Sequence, residues 1–86
     1  MRVDIDLRDI SGADPSRFTT REIEVLALVA RGKSNTTIAS DLDIAKRTVQ
    51  NHLNHILTKM APPSWAEPRV YLSLWYFKES GRLQGN

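Results

Sequence analysis

The pattern of apolar and polar positions predicts a first helix directly after Phe18. Thr19 and Glu22 have the three-residue spacing of a capping box, in which each side chain accepts the other residue's backbone amide. Gly32 is the residue type that ends a helix most easily, because it adopts the left-handed conformation without strain. The apolar residues expected to share the buried face of this helix are Ile23, Leu26, Ala27 and Ala30.

Two further helices are predicted before the Pro62-Pro63 pair. A short second helix begins at Ser34 or Asn35, both of which are good capping residues. Its buried side is expected to hold Ile38, Ala39 and Leu42, and Ile44 is expected in the core after a tight turn. The third helix runs from about Ala45 to Lys59, and proline ends it. One apolar stripe follows its length: Val49, Leu53, Ile56 and Met60.

A fourth helix has two possible starts. Ser64 and Glu67 form a second capping-box pattern, which places the start near Trp65. The alternative start is Pro68, where the missing amide donor is harmless. Residues 70–77 are nearly all apolar, and Gly81 is the expected C-terminal cap. A helix that is apolar on nearly every side needs two burial partners, the domain core and either a second subunit or the N-terminal arm. We favour the second subunit.

Residues 1–17 differ from the rest of the chain. Val3, Ile5 and Leu7 alternate with charged residues as in a strand, although Val3, Leu7 and Ile10 also fit a helical stripe. We therefore expect an all-α, four-helix domain over residues 18–83. A short arm or linker over residues 1–17 precedes it, and a tail over residues 84–86 follows it.

Composition narrows the class of protein. The chain has 86 residues, which is room for one domain, and 0 cysteines, which excludes disulfides and thiolate metal sites. Because no apolar run has membrane-spanning length and no basic-then-apolar leader opens the chain, we expect a cytoplasmic protein with no membrane partner. The 17 residues before Phe18 are too few for a receiver or ligand-binding domain, so the chain either works alone or is an excised domain.

The distribution of charge along the chain is more informative about function than the net charge of +2 is. Between Asp43 and Glu67 there is no acidic residue, whereas Lys46, Arg47 and Lys59 lie in this stretch. A segment without carboxylates suits the phosphate backbone of a nucleic acid. Chance clustering of basic residues is the simpler alternative at this point.

The side of the third helix opposite its apolar stripe carries Gln50, Asn51 and Asn54, which we call the amide face. Three short helices with a tight second connection match a helix-turn-helix, in which the third helix is buried on one side and enters the major groove with the other. An amide presents a donor and an acceptor together, as adenine recognition requires. An ordinary solvated helix surface has the same pattern.

The sequence resembles the LuxR/GerE family of DNA-binding domains over residues 18–83. The resemblance starts with Phe18-Thr-Thr-Arg-Glu-Ile-Glu-Val-Leu-Ala-Leu-Val-Ala-Arg-Gly-Lys-Ser-Asn35 and continues through Ile38-Ala39, Leu42, Ile44, Thr48-Val49-Gln50-Asn51-His52-Leu53, Ile56 and Lys59-Met60. It implies a sequence-specific transcription regulator, base contacts by the amide face, and a homodimer on a two-fold-related DNA site. The phosphate contacts it implies, together with one weighed for His55, are Ser34, Asn35, Lys46, Arg47, Thr48, His55 and Lys59. The implied dimer contacts of the fourth helix are Tyr71, Leu74, Trp75 and Lys78.

The chain departs from the family's pattern at several positions. Ala45 stands where the family commonly has a serine or threonine cap, Gln50 and Asn54 replace frequent basic residues, and Trp65 replaces a frequent arginine. Amides in place of charges weaken non-specific attraction and favour contacts of the A·T type. His52 and His55 have a spacing that suits zinc, but no third ligand is evident, so no metal site is expected.

Other functions stay open at this stage. A sigma-factor-like promoter-recognition domain also uses a helix-turn-helix, and a helix-turn-helix scaffold can serve as a protein-interaction module. RNA polymerase or another regulator is a further possible partner. An enzyme is not expected, and neither is a cofactor, because the sequence shows no nucleophile–base pair and no phosphate-binding loop.

Overall fold

The computed structural model of the chain describes residues 13–83. After a 3-10 turn at Pro15–Arg17, these residues form four α-helices and no strand. The helices are α1 (Thr20–Ala30), α2 (Asn35–Leu42), α3 (Lys46–Met60) and α4 (Pro68–Leu83). The expected all-α, four-helix architecture is confirmed.

Helix α1 begins and ends as its sequence predicts. The Glu22 amide donates to Thr19 Oγ1 over 3.1 Å, and the Thr19 amide donates to Glu22 Oε1 over 2.8 Å, which completes the capping box. At the other end Gly32 has a φ of 80°, and the Lys33 amide reaches back to the carbonyl of Leu28 over 3.2 Å. This is a Schellman motif, and it satisfies carbonyls that the helix leaves unpaired.

The buried face of α1 differs from the expected one. Val25, Leu26 and Val29 are buried, whereas Ile23, Ala27 and Ala30 are only half-buried. Of these residues, Leu26 alone belongs to both the predicted and the observed buried face. Because residues 25–30 of α1 are all apolar, the sequence of this half of the helix does not determine which side faces the core. The packing of α4, which lies mainly against α1, determines it.

A tight connection joins α2 to α3. The Ser34 hydroxyl accepts the Thr37 amide over 3.2 Å and caps α2. Asp43 ends α2 in the left-handed conformation with a φ of 55°, and the Ile44 amide donates to the Ala39 carbonyl over 3.0 Å. Ile44 packs against the core half-buried. The four residues of the predicted α3 stripe are all buried, which confirms that stripe.

Helix α4 begins at Pro68, the second of the two predicted starts. The Glu67 side chain accepts the Val70 amide over 2.8 Å and therefore caps the helix itself. Ser64 and Glu67 do not form a capping box, and Trp65 is 66% exposed. Gly81 lies inside α4 and is not its cap, since the helix continues to Leu83.

The described end of the predicted N-terminal arm packs on α4, and the arm is one of the two burial partners that the sequence left open for this helix. Ala13 is buried, and its carbonyl accepts the Trp75 indole N–H over 2.9 Å. The Phe18 ring meets Trp75 edge to face, with centroids 5.1 Å apart. Ala13 and Phe18 thus both contact α4 through Trp75. The predicted strand or stripe at Val3 to Ile10 lies outside the described residues, as do residues 84–86.

Candidate nucleic-acid interface

Helices α2 and α3 pack against each other as the two halves of a helix-turn-helix. The apolar stripe of α3 is buried, so this helix is fixed to the domain along one side. Gln50, Asn51 and Asn54 are all exposed on its other side. The structure therefore brings the three residues of the amide face together on one solvent-facing surface.

The predicted phosphate contacts lie around this surface. Lys46 and Arg47 are exposed in the first turn of α3, with Thr48 half-buried beside them. Ser34 and Asn35 lie at the start of α2. His55 is exposed further along α3. Ala45 makes no side-chain cap, so the first amides of α3 receive no side-chain acceptor. Backbone amides at a helix start and nearby cations both favour an anion.

A chain of hydrogen bonds runs through the amide face to α4. Asn35 Nδ2 donates to Gln50 Oε1 over 3.2 Å, and Gln50 Nε2 donates to Asn54 Oδ1 over 3.0 Å. Arg69 Nη1 donates to Asn35 Oδ1 over 2.9 Å. The sequence interpretation did not include Arg69. One feature of the sequence could have indicated a role for Arg69. A cation in the first turn of a helix opposes the helix dipole, so its presence there needs a reason other than helix stability.

Lys59 has a partner inside the domain. Its Nζ lies 2.7 Å from Glu22 Oε1 and 5.7 Å from the centroid of the Phe18 ring. Burial raises the pKa of Glu22, but hydrogen bonds from Lys59 and from Thr19 lower it, and the net shift is downward. Lys59 therefore holds α3 to α1, and a phosphate contact would compete with this ion pair.

The structure changes the expected dimer surface of α4. Tyr71 is 3% exposed and Trp75 is 1% exposed, because both fill the core of their own domain. A second subunit cannot reach them without opening that core. Leu74 and Lys78 are half-buried, while Val70 and Phe77 are 50% and 56% exposed. Val70, Leu74 and Phe77 have the spacing of one helix face.

Neither a metal-binding cluster nor a membrane-spanning helix is found among residues 13–83. No group of three histidine or acidic residues in this range is arranged to hold a metal ion, and His52 is half-buried on α3. None of the helices in the same range is long and apolar enough to cross a membrane.

Known proteins resemble this chain over the same region. The family model for bacterial regulatory proteins of the luxR family matches residues 16–68. The nitrate/nitrite response regulator protein NarL of Escherichia coli K12 is 39% identical over 66 residues, which are 77% of this chain and 29% of that protein. The transcriptional regulatory protein LiaR of Bacillus subtilis is 40% identical over 54 residues, 63% of this chain and 26% of LiaR.

A third relative has the same partial coverage. The oxygen regulatory protein NreC of Staphylococcus haemolyticus is 42% identical over 53 residues, which are 60% of this chain and 24% of NreC. The chain thus spans less than a third of the length of these curated relatives. The match covers the capping box of α1, all of α2 and all of α3. The chain belongs to the luxR family of bacterial regulatory proteins, whose members are DNA-binding transcription regulators.

Proposed function

We propose that this domain binds duplex DNA sequence-specifically, with α3 in the major groove and the amide face on the base edges. The observation that carries this proposal is the two-sided character of α3. Its apolar stripe is buried in the core, while Gln50, Asn51 and Asn54 are exposed together with no carboxylate on the helix. An amide can pair with N6 and N7 of adenine at once, which a hydroxyl or a cation cannot do.

The proposed phosphate contacts come from both ends of the helix-turn-helix. Lys46, Arg47 and Thr48 in α3, with the α3 backbone amides, would hold one strand. Ser34 and Asn35 would hold phosphates at the start of α2, and His55 would do so further along α3. Lys59 belongs to this set only if DNA draws it from Glu22, so it is the weakest member.

We further propose a homodimer on a two-fold-related site, through the exposed side of α4. Leu74 and Lys78 stay in the proposed contact, and Val70 and Phe77 replace the buried Tyr71 and Trp75. One amide face with few charges gives modest affinity, which two linked recognition helices would raise. In the bacterial cytoplasm, RNA polymerase or another regulator would meet the DNA-bound dimer.

Selection of bound sites from a random DNA library tests this function, followed by fluorescence anisotropy on the selected duplex. We expect affinity to fall steeply with added salt, as counterion release requires. Gln50→Ala should reduce discrimination at one or two base pairs by about 1–3 kcal/mol. Arg47→Ala is the matched control on the same helix, since it should weaken all sequences equally and lower the salt slope by about one. Equal losses on every sequence with Gln50→Ala would contradict base contact by Gln50.

A protein-interaction module is the second candidate. It is favoured by the exposed apolar side chains of Trp65, Val70 and Phe77, since exposed apolar patches mark interaction sites. The anisotropy titration separates the two functions. No binding to any duplex at low salt would remove the regulator interpretation and leave the interaction module.

A further inference from the structure

Arg69 connects the first turn of α4 to the start of α2. It is half-buried, and its guanidinium makes two contacts there. Nη1 donates to Asn35 Oδ1 over 2.9 Å, and Nη2 donates to the backbone carbonyl of Lys33 over 2.6 Å. Two donors on a rigid, planar group fix the position of the guanidinium better than one hydrogen bond does.

The chemistry of Arg69 determines the direction of the whole amide chain. An amide side chain can turn over and exchange its oxygen and nitrogen, but a guanidinium only donates. Arg69 therefore requires the oxygen of Asn35 on its side, which leaves Asn35 Nδ2 to donate to Gln50 Oε1. Gln50 Nε2 is then the end that donates to Asn54 Oδ1. One cation thus determines the orientation of three successive side-chain amides, those of Asn35, Gln50 and Asn54.

We propose that Arg69 is a positioning residue for specificity, which determines through Asn35 the hydrogen-bonding groups that Gln50 and Asn54 present to DNA bases. This inference rests on the proposed function. Within residues 13–83, Asn54 accepts at Oδ1 and no hydrogen bond engages its Nδ2. In this arrangement Asn54 offers donors to the groove and is suited to a base with major-groove acceptors, such as N7 of a purine.

The location of Arg69 supports a role beyond the stability of α4. The positive end of the helix dipole disfavours a cation in the first turn. Asn35, Gln50 and Arg69 also line one shallow cavity of about 230 Å³ between α2, α3 and the start of α4. The guanidinium therefore lies directly behind the amide face and not at a distance from it.

The test has one arm on the free protein and one on DNA. Arg69→Met removes the donors but keeps the aliphatic stem, and Arg69→Lys keeps the charge but loses the two-pronged donor. In 1H–15N NMR spectra of the free domain, both variants should shift the side-chain amide signals of Asn35 and Gln50. The side-chain amide of Asn51 on the same helix is the control and should not move. Unchanged Asn35 and Gln50 signals would overturn the proposal whether or not the protein binds DNA.

The DNA arm uses the selected duplex and single-base variants of it. We expect both variants to reduce discrimination at the affected base pair by fivefold or more, with a salt slope unchanged in Arg69→Lys. Uniform loss on all sequences with a smaller salt slope in Arg69→Met would show a phosphate contact and overturn the positioning role. Full discrimination in Arg69→Lys despite shifted amides would overturn it too. If the parent domain binds no duplex, the proposed function fails while the NMR arm still decides the amide orientation.

Discussion

Replacement of Lys59 by methionine separates the two roles open to this side chain, an internal ion pair and a phosphate contact. In the structure the ammonium lies 2.7 Å from Glu22, whose side chain is only 5% exposed, while the Lys59 side chain is 30% exposed. Methionine keeps most of the apolar stem and removes the charge. The variant therefore leaves the Glu22 carboxylate buried, with the Thr19 amide as its remaining donor.

The magnitude follows from what Glu22 loses. A hydrogen bond to a charged group is worth about 1.5–3 kcal/mol. Breaking a fully buried pair costs about 3–5 kcal/mol. The range of about 1.5–3 kcal/mol applies here, because Lys59 is partly exposed and water can replace some of the interaction. For a domain of this size, each kcal/mol lowers Tm by about 4–8 °C, so we expect a loss of roughly 6–24 °C.

The assay combines thermal unfolding by circular dichroism with the salt dependence of DNA affinity. Lys46→Met is the matched control, since Lys46 is an exposed lysine in the first turn of the same helix. The control should keep Tm within about 4 °C and lose about 0.9 from the salt slope if Lys46 contacts a phosphate. Lys59→Met should instead lower Tm by roughly 6–24 °C and leave the salt slope unchanged. A Tm near that of the parent together with a lower slope would refute the structural role of Lys59.

Four further substitutions test the local physics of the domain. The lowered pKa of Glu22 gives stability that is fully present above its ordinary value of 4.5 and is lost as pH falls through the folded value. Urea unfolding between pH 6 and pH 2 should therefore show a steeper acid loss in the parent than in Glu22→Gln, and equal pH profiles would contradict the shift. Ala45→Ser supplies the missing cap of α3 and should raise the free energy of unfolding by about 1 kcal/mol, whereas an unchanged urea midpoint would show that the hydroxyl makes no cap. Ala61→Gly relieves a φ of 47° and should stabilise by up to about 1 kcal/mol in the same measurement, while Gly32→Ala, at a φ of 80° with open space around the new Cβ, should destabilise by a similar amount.

The sequence predicts elements well where two local features agree. The side of α3 opposite its apolar stripe is polar, so the sequence allows only one buried side. The structure confirms that side. The start of α1 is determined by Thr19 and Glu22, which lie three residues apart and need no tertiary context.

The sequence does not predict which side of a helix is buried where apolar residues surround most of the helix. The second half of α1 and the middle of α4 are both apolar on most sides, so which side each helix buries depends on the other helix. The resemblance implies that Tyr71 and Trp75 contact a partner subunit, whereas in the structure they fill the core of their own domain. The contact between Arg69 and Asn35 joins residues 34 positions apart, and no local pattern shows it.

Three parts of helix α4 have different surroundings, and together they connect the stability of the domain to the amide face. One side gives Tyr71, Leu72 and Trp75 to the core, and another leaves Val70 and Phe77 exposed, where we propose the dimer contact. Its first turn holds the start of α2 through Arg69. Since these parts belong to one continuous helix, a partner that moves α4 would also move the guanidinium behind Asn35. In the proposed dimer, assembly through α4 and recognition by α3 would then be coupled by contacts within each subunit, and such coupling would act on specificity as well as on affinity.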